Sequence, residues 1–155
     1  YSSYWIRAKC HWKMGNLSGA LKDFDQAVLM ETGNHQWNLR RDLVLLLVKM
    51  KKYDRVVELA GTMLKRDWLV TLSRAMRGIA YYFLDQPEKA WEDLSFAEER
   101  GIEVPQVFYC MGMLSYNKTK NKNKAMKYLK RAVEIDSNDH WSRKAGELIN
   151  KWGAK

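Results

Sequence analysis

The sequence predicts an all-α protein, a solenoid of stacked helix hairpins, and three observations carry that reading. An apolar triplet spaced by four and then three residues recurs four times: Ala20, Phe24, Ala27; Val56, Ala60, Met63; Ala90, Leu94, Ala97; and Ala125, Leu129, Ala132. The first members lie 36, 34 and 35 residues apart, the mark of an internal repeat. A turn of helix takes about 3.6 residues, so each triplet shares one helical face, and its small members let a neighbouring helix come close. Upstream of every triplet lies a second helical pattern that ends in a short turn. Finally, 2 Pro and 9 Gly among 155 residues are few for an all-β chain that must turn about every 8–12 residues.

The first unit, about residues 1–36, has a helix near 4–13, a break at Gly15-Asn16, and the helix of the first triplet. The second, 37–70, runs helical over 37–50 and turns at Lys51-Lys52; the third, 71–104, is helical over 72–84 and turns at Asp85-Gln86. Pro87 can open the helix that follows, because its missing N–H would be unpaired there anyway. The fourth, 105–138, is helical over 106–117 and turns through 118–123. Charged or polar stops close the second helices: Glu31-Thr32-Gly33-Asn34, Lys65-Arg66-Asp67, Glu98-Glu99-Arg100-Gly101 and Asp136-Ser137-Asn138-Asp139. A last helix over 139–152 sets Trp141, Ala145, Leu148, Ile149 and Trp152 on one face and charges on the other, as a cap sealing the end of a stack would. No unit can bury its apolar face alone, so 1–155 reads as one domain.

These units resemble the tetratricopeptide repeat family over nearly the whole chain. The first matches best, with Gly15-Asn16-Leu17 ahead of Ala20, Phe24 and Ala27; the fourth matches well in its second half. Arg7-Ala8 replaces the usual Leu-Gly pair of the first helix, while Leu43-Val44 and Arg77-Gly78 each keep half of it. The resemblance implies a right-handed α-solenoid whose first helices line a concave wall. Its inward positions would be Trp5, Lys9, Trp12 and Lys13, then Arg41, Leu45, Val48 and Lys49, then Ala75, Ile79, Tyr82 and Phe83, then Cys110, Leu114, Asn117 and Lys118. The implied function is a non-catalytic scaffold or adaptor binding a peptide or partner protein with acidic residues beside bulky apolar anchors. The clamp with which some members hold a terminal carboxylate is absent: its positions match Trp5, Lys9, Leu45, Ala75 and Ile79, one cation and no Asn.

Charge is uneven within a formal net of +9: net +1, +4, −3 and +7 over 1–36, 37–70, 71–104 and 105–155. The turns would share one edge, carrying Lys51, Lys52, Lys118, Lys120, Lys122 and Lys124, with Lys127, Lys130 and Arg131 beyond, and Asp85 and Glu88 interrupting the row. RNA or another acidic surface bound there is the alternative to groove binding. The lack of a comparable cap ahead of Tyr4, and of an initiator Met, suggests a piece of a longer chain with an exposed N-terminal end that could take an upstream repeat or self-associate.

Catalysis finds little support. His11, His35 and His140 lie in different units, and Cys10 beside His11 cannot face it, since adjacent helical residues diverge by about 100°; they read as a buried thiol and a surface imidazole. No glycine-rich phosphate loop or metal-binding spacing occurs, so neither a cofactor nor a metal is expected. The longest apolar run is 43–48, far short of the roughly 20 residues that span a bilayer. Two unpaired cysteines and 8 methionines suit the cytoplasm.

Overall fold

The computed structural model describes residues 1–33 and 36–154; the expectations that fell on Asn34 and His35 lie outside the described residues. Among the described residues the chain is all helix and connection. The helices are α1 (Ser2–Lys13), α2 (Leu17–Leu29), α3 (Trp37–Lys49), α4 (Tyr53–Lys65), α5 (Val70–Phe83), α6 (Pro87–Glu99), α7 (Pro105–Thr119), α8 (Lys122–Ile135) and α9 (His140–Gly153). They pair as the triplets predict, and all twelve triplet side chains are fully buried.

Each hairpin turns on one residue in the left-handed region: Gly15 (φ 80°), Lys51 (58°), Asp85 (57°) and Lys120 (55°). These recur at the period of the triplets, yet only the first is glycine. Behind the first three, the next amide reaches back five residues, Asn16 N to His11 O, Lys52 N to Leu47 O and Gln86 N to Tyr81 O, which ends the helix and reverses the chain. The fourth turn differs from expectation. α7 runs on to Thr119, whose hydroxyl donates to Ser115 O, and Asn121 Oδ1 accepts from the amides of Asn123 and Lys124. That cap starts α8 at Lys122, so the turn is Lys120-Asn121 rather than 118–123.

Glycine matters at two points of contact. A Cβ on Gly78 would sit 2.7 Å from Leu94 Cγ, and one on Gly112 would sit 2.8 Å from Leu129 Cδ2. The small residue on the first helix thus admits the bulky centre of the triplet on the second. Ala8 and Phe24 follow the same rule, whereas Val44 faces a triplet centred on Ala60 and the sizes are reversed. α3 and α4 accordingly approach less closely than the other pairs, and α4 packs instead on α5.

The paired helices are also pinned by charge in two units. Arg7 Nε and Nη2 donate to Asp23 at 2.6 and 2.7 Å, and Arg77 makes the same fork to Asp93 at 2.6 and 3.0 Å. These guanidinium bonds hold the Asp23 carboxyl below its ordinary value of 3.8.

Packing between units fixes which side is inner. α3, α5, α7 and α9 touch in succession, and Trp5 Nε1 ties α1 to the same row by donating to Asp42 Oδ2 at 3.0 Å. The second helices fan apart, so the row of first helices is the concave wall. α9 takes the next place in that row: Asp139 caps it, Ser142 Oγ donates to Ala132 O at 2.7 Å, and Trp152 packs on Tyr116.

Candidate functional site

The inner wall falls into two halves of different chemistry. In the N-terminal half, α1 and α3 offer half-buried Trp5, Trp12 and Leu45 with exposed Lys9, Lys13 and Lys49. Lys9 Nζ lies 5.7 Å from the Trp5 ring centre, and Trp12 stands edge-on to Phe24 at 6.3 Å. Arg41 is held down by Asp42 at 2.9 Å and lies over Trp37. Among the described residues the three lysines have no carboxylate partner. Val48 is buried to 8 % exposure and adds little to this surface.

In the C-terminal half several expected groove residues belong to the core. Ile79, Ala75 and Cys110 are fully buried. The cause is that α5 and α7 have inner-row neighbours on both sides, so positions that would face a ligand on an isolated helix face another helix here. Burial pushes the Cys110 thiol well up in pKa. Phe83 stays 36 % exposed yet is already partnered: Tyr53 stacks on it at 4.7 Å, Tyr82 meets it edge-on, and Trp141 reaches it from α9 at 5.5 Å. Tyr109 closes the group against Trp141. Burial raises the phenols of Tyr82 and Tyr109 and pushes Tyr53 up to about 12. An aromatic plug therefore fills the hollow where the sequence predicted open anchors.

Tyr82, Leu114, Asn117 and Lys118 do meet, in a different place: a cleft of about 480 Å³ where the α5–α6 turn faces the end of α7. Leu114 forms part of its floor at 7 % exposure. Asp85, Pro87, Glu88 and Trp91 complete the lining. In the sequence the two acids read only as a gap in the basic edge, and Trp91 gives no signal there because it lies on a second helix.

Along that edge Lys51, Lys52, Lys118, Lys120, Lys122 and Lys124 are all exposed and, among the described residues, without ion pairs. Cys10 is exposed, not buried as expected, because α1 buries only Ala8 of its residues. His11 sits 3.7 Å from Asp23 and 3.2 Å from the Asn16 amide nitrogen. Among the described residues there is no group of metal-ligating side chains, and no helix is long and apolar enough to cross a membrane.

The tetratricopeptide repeat model matches residues 1–34 and 109–139, the first unit and most of the fourth. No curated protein matches the chain. Among solved structures it is similar to a thermophilic TPR protein from Thermus thermophilus, at 16 % identity and TM-score 0.74 over 98 % of this chain and 82 % of that one. It is similar to YrrB, described as a TPR protein with an unusual peptide-binding site, at 18 % identity and TM-score 0.67, covering 93 % and 73 %. A tetratricopeptide repeat protein of Parabacteroides merdae gives 19 % identity and TM-score 0.66 over 97 % of this chain, which spans 59 % of that protein's length. At such identities these neighbours speak for the fold. The tetratricopeptide repeat signature lies in the first and fourth hairpins, and the two between carry the same left-handed turn and buried triplet, so the chain has the fold of a stack of tetratricopeptide-like hairpins.

Proposed function

We propose that this chain is a non-catalytic interaction module that binds an acidic, apolar-anchored peptide or partner segment along the N-terminal half of its inner wall. Tetratricopeptide repeat folds serve as protein-interaction scaffolds, and the structural neighbour YrrB is described as having a peptide-binding site. The observation that carries the finer reading is the set of three unpaired ammonium groups, Lys9, Lys13 and Lys49, beside the half-buried Trp5, Trp12 and Leu45. A buried apolar anchor contributes roughly 1.5–3 kcal/mol before ordering costs, so three at the upper end of that range approach the roughly 8 kcal/mol of micromolar binding. The lysines steer acidic residues and set orientation. Two free thiols fit the cytoplasm as the setting.

A panel of acidic peptides carrying Leu, Phe or Trp, read by fluorescence anisotropy, tests this. Leu45→Asp is expected to weaken the best binder about tenfold or more with the helical signal unchanged; normal binding by that variant removes the inner wall as the site. Nucleic-acid binding is the second reading, favoured by the unpaired lysines of the turn edge. It requires affinity for a single-stranded RNA that falls steeply with salt and vanishes when Lys120, Lys122 and Lys124 become Glu. Self-association through α1, where Ile6 is 63 % exposed, would show as a rise in scattering mass with concentration.

A further inference from the structure

We infer that the cleft between the third and fourth units is a second docking site, built for a partner segment that places a basic side chain beside a bulky apolar one. Its floor is apolar: Tyr82, Trp91 and Leu114 line a space of about 480 Å³, enough for one large side chain and the stem of another. Trp91 leans edge-on against Tyr128 at 6.0 Å, which fixes its ring, yet it remains 36 % exposed.

Charge decides which segment fits. Asp85 and Glu88 stand on one rim with no ion-pair partner among the described residues, in a chain of net charge +9 and in the one unit whose net charge is −3. Asp85 occupies the turn position held by Gly15, Lys51 and Lys120 in the other hairpins, so an acid appears there only beside this cleft. A guanidinium or ammonium entering beside these carboxylates also meets Trp91 and Tyr82 in the same lining, and aromatic rings attract cations, tryptophan most strongly. Lys118 on the opposite rim repels a second cation and favours an acid, which gives the segment a direction: basic, apolar, acidic. This preference is opposite in sign to that of the lysine-bearing half of the inner wall, so the two surfaces select different segments and neither reading depends on the other.

The probe is a capped peptide, acetyl-Gly-Arg-Leu-Trp-Glu-Gly-amide, against its counterpart with Glu in place of Arg, titrated into the full chain while the indole N–H resonances are followed. The arginine peptide is expected to shift the Trp91 resonance ahead of those of Trp5 and Trp12 and, read at Trp91, to bind about tenfold more tightly than the glutamate peptide. Asp85→Asn with Glu88→Gln should erase that preference without changing helicity, and Lys118→Glu should weaken the arginine peptide, whose own glutamate then meets a like charge. Leu45→Asp should leave it unaffected, which separates this site from the inner wall. Equal binding of the two peptides as read at Trp91, no shift of Trp91 at millimolar peptide, unchanged preference in the double variant, or displacement of the arginine peptide by single-stranded RNA each overturns the proposal.

Discussion

The third hairpin locks its two helices with a fork from Arg77 to Asp93, while the second places Leu43 and Leu59 at the same sixteen-residue separation. The third also brings its helices together on Gly78 against Leu94; the second reverses the sizes with Val44 and Ala60, and a cleft of about 340 Å³ opens over Leu43 and Leu47 between α2 and α4. Two chemistries thus satisfy one geometry, and they differ in what they tolerate. A charged fork is directional and fixes the rotation of one helix on the other, but either partner left alone is costly. An apolar pair is forgiving and fixes little. The first hairpin, with Arg7 on Asp23, sides with the third, while the fourth shares the apolar character of the second at Met111 but the close approach of the third at Gly112 against Leu129.

The sharpest way to break this comparison is Asp93→Ala, which strands Arg77 beside an emptied buried position; a loss of about 3 kcal/mol is expected from chemical denaturation. The matching double change, Arg77→Leu with Asp93→Leu, copies the second hairpin and should stay within about 1 kcal/mol of the parent. Should both behave alike, the fork is not what holds α5 on α6. Next in size is Gly78→Ala, expected to cost about 1–3 kcal/mol because the new methyl meets Leu94 and a packed interface has no room to give; its thermal midpoint should fall while that of Gly61→Ala, at an open position, does not.

A smaller effect concerns acid. The carboxyl of Asp23 is held below its ordinary value, chiefly by the bonds from Arg7. Its contribution to stability is therefore complete above that ordinary value of 3.8 and is lost as pH falls through the lower, folded one. Asp23→Asn should flatten the acid limb of a stability-against-pH curve and leave its slope near neutrality as it was. Smallest is Lys51→Gly, where removing a side chain from a left-handed backbone should add up to about 1 kcal/mol, measurable as a shift in the urea midpoint.

What sequence could reveal depended on whether the cause was local. The triplets and the turns at Gly15, Lys51 and Asp85 were legible because helical periodicity and turn chemistry act within a few residues. The fourth turn was misplaced because a run of Lys and Asn looks like loop, and only the cap made by Asn121 shows that α8 has already begun. Arg7 and Arg77 stand out in the sequence only as departures from a Leu-Gly pair; their partners lie sixteen residues on, across a turn, where no periodicity points. The inner wall was half legible. Lys9, Lys13 and Lys49 stand exposed as their spacing on a single helix suggests, but Ile79 and Cys110 are covered by helices from neighbouring units, and Trp141 reaches Phe83 from two hairpins away.

The left-handed corner that closes each hairpin accepts a side chain in three of four cases. Every corner is thus a mounting point on a common rim, decorated independently of the stack beneath it. Read along the chain, the rim spells blank, plus, minus, plus. One codon at a corner can rewrite that string, and with it the choice of associate, while the architecture underneath stays as it was.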